Sequence, residues 1–507
     1  MPSSDVIVIG GGTNGLACAT KLALAGRRVT VVEAADEVGG GARTVEFAPG
    51  YRVSGLAHVF QGLDSRVAAA MQLERHGLDL SAPLTTVVPG DDPLTMKGVL
   101  GPVSGLASDD LGACSEMQAR LLRLARSLAP LRQMTPPRVA AGAGNDLWAL
   151  GKLGFLLRSM GKTEFREFLR LLLINVADVL EDDLTDDRLM GLLAFEATLG
   201  AWAGPRSPNS LIVWLNRIAA GETLTLPAGG MGAVSAAMAK AAQAAGVTIL
   251  TGSSVARVDM AADIVIGVTL ANGDSHAAGA VMSAICPRRT FETLVGPRHL
   301  DTGFLRRTKG IKARGGAAKL HLALTDAPVF KGADLTQRIV IAPSVNVVET
   351  AFNPVKYGEV PARPVMEIVI PTAHDPSLAP AGHHVLSAVV QFAPHAPKDR
   401  DQARATMLEN TLQVLEDAAP NLRALIAHAE ILMPYDIEDR YGMAGGSWHH
   451  GDLAVEQMLF LRPFAGISQY ATPVPGLWLA GAGSHPGGGI SGAAGWNAAT
   501  QFLKGAA

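Results

Sequence analysis

Residues 6–15, Val6-Ile7-Val8-Ile9-Gly10-Gly11-Gly12-Thr13-Asn14-Gly15, decide how this 507-residue chain folds. Four β-branched residues in a row read as a strand buried on both faces, the pattern of a parallel sheet. The glycines open an Ala/Leu-rich helix that runs to about Leu24, and Arg28-Val29-Thr30-Val31-Val32 reads as a second strand ending at Glu33. Strand, GxGxxG turn, helix, strand and acid form one βαβ unit, with the acid 18 residues after the last motif glycine. Gly10 permits the tight turn, Gly12 lets backbone approach a pyrophosphate, and Gly15 lets the helix pack closely on the strand. The helix N-terminus, with Thr13 and Asn14 in its first turn, offers free N–H groups and a positive dipole end to phosphates. Glu33 would accept hydrogen bonds from ribose hydroxyls.

Glycine is the compositional outlier, 56 residues, and it gathers at 10–15 with 39–41, at 229–232 and at 476–495. The middle cluster, Leu226-Pro227-Ala228-Gly229-Gly230-Met231-Gly232, leads into an alanine-rich helix from about Ala233 to Ala245. Strands at 246–250 and 254–258 follow, with a hairpin turn at Asn272-Gly273-Asp274 and a strand at 280–284. In the last cluster, Gly476-Leu477-Trp478-Leu479-Ala480-Gly481-Ala482-Gly483 is a short strand entering a glycine turn. His485-Pro486-Gly487-Gly488-Gly489-Ile490-Ser491-Gly492 then feeds a helix through Trp496 and Asn497.

Beyond Glu33 the chain reads Gly39-Gly40-Gly41-Ala42-Arg43-Thr44. Glu33-x5-Gly-Gly-x-x-Arg-Thr resembles the second dinucleotide motif of the FAD-dependent amine oxidase and phytoene desaturase superfamily. The resemblance implies that Gly40 and Gly41 approach the FAD diphosphate and that Arg43 helps hold it. It also implies that Val255 meets the adenine and that the C-terminal loop, with Gly481, Gly483, Gly488, Gly489 and Ile490, faces the flavin. The segments Met433-Pro434-Tyr435-Asp436-Ile437-Glu438, Gly445-Gly446-Ser447-Trp448-His449-His450-Gly451-Asp452 and Leu461-Arg462-Pro463 are similar to the pyridine-nucleotide-disulfide-oxidoreductase-domain subgroup of phytoene desaturase relatives. The implied fold is α/β: a discontinuous Rossmann-like, glutathione-reductase-like FAD domain (1–78, 222–292, 470–507), a mixed-sheet substrate domain (79–108, 293–469) and a helical lid (109–221).

Dividing the length by about 150 residues per domain gives roughly three units, in line with that layout. Residues 115–173 carry ten Lys/Arg against four acids, among them Arg120, Arg126, Arg138, Lys152, Arg170 and Asp146. Leucine faces at 121–128 and at Phe155-Leu156-Leu157 suit helices. Such a block reads as a lid with a solvated face or as a basic surface for peripheral membrane contact. Residues 317–394 hold several runs of period-two alternation, as in a sheet with one buried face, placed to floor a cavity beside the flavin.

The flavin takes the hydride, so side-chain candidates for chemistry are those near the glycine loops. His485 lies inside the C-terminal loop and His58 follows the Arg43 motif. His449 and His450 are adjacent, so in a strand only one would face the site. Arg462 suits either a substrate carboxylate or a loop brace. The expected function is FAD-dependent hydride removal from, or isomerisation of, a largely apolar small molecule. With no second GxGxxG unit and no redox CxxxxC, the acceptor is expected to be oxygen or a quinone. An amine or amino-acid oxidase is the alternative; that class uses an aromatic pair and a lysine-held water, for which Trp448, Tyr470 and Trp496 are available but no obvious lysine. A non-catalytic escort protein of the same fold is the third reading.

The formal charge of −3 argues against nucleic acid as a partner. Cys18, Cys114 and Cys286 lie far apart, which excludes a disulfide framework and a cysteine metal site and suits a cytoplasmic chain. Met1–Asp5 lacks a basic n-region, and the apolar run after it stops at the glycines, so neither a secretory signal nor a membrane span is expected.

Overall fold

The computed structural model describes residues 4–137 and 161–505, with Gly151, Gly154 and Arg158 between them. Arg138, Asp146, Lys152 and Phe155–Leu157 lie outside the described residues, as does the side chain of Glu164.

Strand Ser4–Ile9, helix Thr13–Leu24 and strand Val29–Val32 stand where the opening motif puts them. Ile7 and Leu16 are fully buried, each burial favouring the fold by about 1.5–3 kcal/mol. The first sheet runs in the order Thr248–Leu250, Val29–Val32, Ser4–Ile9, Ser275–Ser283, Ile264–Leu270, Val255–Ala261, and Leu477–Leu479 pairs in parallel with Ser275–Ser283. Chain segments from both ends and the middle of the sequence therefore build one sheet. Helices Thr13–Leu24, Met231–Ala244 and Ala493–Gly505 pack on it.

The second sheet has the order Ile426–Leu432, Ala317–Leu324, His384–Gln391, Val365–Val369, Arg338–Ile341, Thr85–Val88, Leu94–Lys97, Val103–Ser104. Its alternation does not separate core from solvent, because both faces are buried. Leu320, Leu322, Met366, Ile368 and Val390 pack on helix Arg400–Ala418 through Met407 and Leu415. The opposite face carries Lys319, His321, Glu367, Ser387, Gln391 and Arg338, all buried, with Arg338 and Gln391 bonded to the lid and His321 and Ser387 to Gly55 and His58. Period two thus marks an apolar face and a polar interior face.

The lid comprises helices Ser108–Arg132, Lys162–Leu173, Val176–Asp183, Asp187–Thr198 and Ser210–Ile218. Apolar residues from all five join strand residues Val340 and Val369 in one core. Several of its basic groups are matched within the fold: Arg120 by Asp183, Arg170 by Glu167, Arg126 by Glu222. Among the described residues no helix is long and apolar enough to cross a membrane, and no group of three or more His, Cys, Asp or Glu residues could hold a metal ion.

Candidate active site

The carboxyl ends of the parallel strands open into a cavity of about 2180 Å³, its mouth included. Gly10, Gly12, Thr13, Asn14 and Gly15 line it, with Glu33, Gly40, Gly41, Val255, Gly488, Gly489 and Ile490. These residues fit a dinucleotide. Gly12 caps its helix with no side-chain hydrogen bond, which leaves first-turn N–H groups available to an anion. A Cβ added at Gly12 or Gly489 meets no atom within 4 Å, whereas at Gly15 it lies 1.9 Å from the Gly10 carbonyl oxygen. Gly15 is therefore small for packing, and Gly12 faces free space. Asn14 Oδ1 is buried at the cavity without a partner among the described residues. Glu33 accepts from the backbone N–H of Gly11 (2.7 Å) and of Ala35 (2.9 Å). A carboxylate has about four acceptor sites, so these bonds fix its direction and leave lone pairs for ribose hydroxyls.

Five candidates stand off the cavity wall. A Cβ at Gly481 would sit 2.4 Å from the Ala284 carbonyl oxygen, and one at Gly483 would sit 2.4 Å from the Pro287 ring. Both glycines serve the close packing of the strand end. Arg43 donates from Nε to the Gly40 carbonyl (3.2 Å) and stacks over Tyr441 (5.1 Å), so it braces the loop whose glycines reach the cavity. Arg462 is buried and directs its guanidinium at the carbonyl oxygens of His449, Gly451, Asp452, Gln457 and Ala482. That position corrects the carboxylate-binding option: its donors are spent on backbone, and it braces the loop. His485 is turned away from the cavity, with Nε2 on the Leu131 carbonyl of the lid (2.7 Å).

His449 and His450 both line the cavity. The expectation that only one would do so assumed a strand, but His450 has φ +55° and the pair sits in a turn. His449 Nε2 accepts from Trp448 Nε1 (2.9 Å). Burial, reinforced by Arg462, lowers their pKa values to about 3 and about 4, so both are neutral. Of the aromatic candidates only Trp448 lines the cavity. Tyr470 is buried and donates to the His485 carbonyl, and Trp496 packs under Lys21.

His58 also lines the cavity and heads a buried polar chain. Its Nε2 is 3.1 Å from Glu367 Oε1 and its Nδ1 is 3.2 Å from the Ser387 hydroxyl. Ionised Glu367 only accepts, so Nε2 carries the proton. Burial, then the nearby Lys319, lowers the His58 pKa to about 4. Burial alone would raise the Glu367 carboxyl, but Arg338 and His58 hold it well below the usual carboxylate range. Arg338 donates from Nε to Glu367 (2.6 Å) and from Nη1 to Thr86 (3.1 Å), and it pairs with Glu196 of the lid. Glu196 in turn pairs with Arg217. Lys319, on the same sheet face, has no hydrogen-bond partner for Nζ among the described residues, and burial pushes its pKa well down. Neither Lys319 nor this chain was visible in sequence; the signal available was charged residues recurring at alternate positions inside apolar strands.

Against known proteins, the model of the family described as flavin containing amine oxidoreductase matches residues 15–503. The chain belongs to the flavin-containing amine oxidoreductase family. It is similar to pyridine nucleotide-disulfide oxidoreductase domain-containing protein 2 of Rattus norvegicus, at 30% identity over 98% of this chain and 93% of the relative. It is also similar to hydroxyneurosporene desaturase of Rhodobacter capsulatus, at 26% identity over 96% of this chain and 94% of the other. Among solved structures, cyclohexylamine oxidase from Brevibacterium oxydans shares the fold with TM-score 0.57 at 16% identity, covering 100% of this chain and 98% of that one. This member of the family is an FAD-dependent oxidoreductase of the amine oxidase and desaturase superfamily. The glycine cradle, the free helix N-terminus and the Glu33 carboxylate are the features that fit the cofactor.

Proposed function

We propose that this flavoenzyme removes hydride from a largely apolar small molecule held between lid and sheet, desaturating, oxidising or isomerising it, with oxygen or a quinone as acceptor. The observation that carries this reading is the aliphatic part of the cavity lining, to which the lid gives Leu199 and Val213 and the rest of the chain Leu56, Val59, Leu224 and Val389. An aliphatic wall binds by burying hydrocarbon, at about 25 cal/mol per Å². Bound FAD supplies a hydride acceptor. The chain's residues hold it through Gly12, Asn14, Glu33 and the 488–490 loop, and keep the facing floor neutral overall through the ion pairs of Glu196 and Glu367 with Arg217 and Arg338. His58, its proton fixed on Nε2, sits at that floor as a neutral hydrogen-bonding group. The desaturase named above, similar over nearly the whole chain, supports the same direction.

A second reading, amine or amino-acid oxidation, is favoured by Lys319, a buried amine without a partner on the cavity-facing side of the sheet. Anaerobic mixing of the purified holoenzyme with a panel of terpenoids, polyenes and fatty compounds on one side and amines on the other separates the two. The proposal expects the visible absorbance of the oxidised flavin to bleach, or its spectrum to shift on binding, with the apolar set. Bleaching by amines alone overturns it, and a flavin that responds to neither set favours the escort reading.

A further inference from the structure

Arg132 closes the last turn of the first lid helix, is buried, and lines the cavity beside Asn216. Its Nη1 donates to the side-chain oxygen of Asn216 (2.7 Å) and to the Asn216 carbonyl (3.2 Å). Nε and Nη2 have no partner among the described residues, and no carboxylate of those residues lies within ion-pair distance. The acid that influences it, Asp64, is already engaged by Arg66 through Nε and Nη2, both at 2.9 Å. Burial draws the Arg132 pKa down only to about 10, so it is cationic at neutral pH.

Of the other guanidiniums that line the cavity, Arg289 is exposed and the remaining two are matched. Arg217 has Glu196, and Arg338 lies between Glu196 and Glu367. Three arginines thus face two carboxylates, and the surplus charge is Arg132. Buried charges are almost always paired, because desolvating an ion without compensation is costly. The free Nε and Nη2 edge of a guanidinium presents two parallel donors at the spacing of a carboxylate's oxygens.

We infer that Arg132 is the anchor for a carboxylate on the substrate, with Asn216 holding the guanidinium in place, so that the substrate is an amphipathic acid: an apolar body bearing one carboxylate. This inference rests on the apolar-substrate reading above and narrows it. The carboxylate end is held under the lid helix, and the hydrocarbon lies along the aliphatic wall.

The test is calorimetric titration of the FAD-loaded enzyme with octanoate, 1-octanol and acetate, on the wild type, Arg132→Gln and Arg132→Lys. The expected result is octanoate binding at least about tenfold tighter than 1-octanol, a preference lost in R132Q and largely kept in R132K, with octanol binding and flavin content unchanged. Equal binding of octanoate and octanol by the wild type overturns the carboxylate anchor and leaves the apolar reading standing. Acetate binding as tightly as octanoate keeps the anchor and overturns the apolar reading, and no binding by any of the three overturns both. If R132Q alters the flavin spectrum or potential while the acid preference survives, the charge serves the cofactor and the inference falls. Should R132Q fail to fold, the wild-type acid-to-alcohol ratio and the R132K titration still decide.

Discussion

Four histidines, His58, His449, His450 and His485, lie deep in the fold as neutral imidazoles, their pKa values lowered by burial to about 4, 3, 4 and 3. In the unfolded chain each titrates near the usual value of about 6.5. Between those values the unfolded state binds more protons, so their contribution to stability is full above about pH 6.5 and falls as the pH drops toward 4. Each histidine gives a slope of up to about 1.4 kcal/mol per pH unit. Thermal unfolding of the holoenzyme should therefore show a melting temperature that falls steadily from pH 7 to pH 5, where most carboxylates remain ionised in both states; a flat profile contradicts these burials. At this scale sequence proximity was a partial guide. His485 belongs to the flavin loop in sequence, yet its ring is taken by the Leu131 carbonyl, a partner 354 residues away. Arg462 could be named as important, but its task depends on five carbonyls gathered by the fold.

At the scale of elements, the second sheet ties the lid to the floor of the cavity. Glu196 of helix Asp187–Thr198 holds Arg338 of strand Arg338–Ile341 and Arg217 of helix Ser210–Ile218. Replacing Glu196 by Gln leaves the half-buried Arg217 without its carboxylate and the fully buried Arg338 with Glu367 alone. The expected cost is about 3–5 kcal/mol, read as a lowered melting temperature. A loss in E196Q below about 1 kcal/mol would mean that the pair behaves as a surface contact. The strands themselves were legible because alternation and β-branched runs are local properties. The face they turn to the lid was not, since a polar residue at every second position looks alike whether water or a second layer covers it. The lid's composition fixed helices, but Arg120 and Arg126 find acids, Asp183 and Glu222, at sequence distances that no local pattern marks.

Across the whole molecule, two glycine-rich regions far apart in sequence, 10–15 with 39–41 and 488–489, meet at one cavity because strands Ser4–Ile9, Ser275–Ser283 and Leu477–Leu479 are neighbours in one parallel arrangement, whereas the middle cluster, 229–232, packs on Thr44 instead of lining it. The βαβ motif was readable in full, since each of its parts has a short-range physical reason. Not every glycine in those loops serves the ligand: Gly15, Gly481 and Gly483 serve close packing, and Gly12 and Gly489 border free space. That distinction makes the FAD site directly testable. The measurement is the flavin content per chain of the purified wild type beside Gly12→Val and Gly15→Val. The account predicts one FAD per wild-type chain, a folded G12V with at least about tenfold less flavin, and a G15V that is destabilised as a fold. A G12V protein that retains full flavin would contradict the assignment of this cavity to the cofactor.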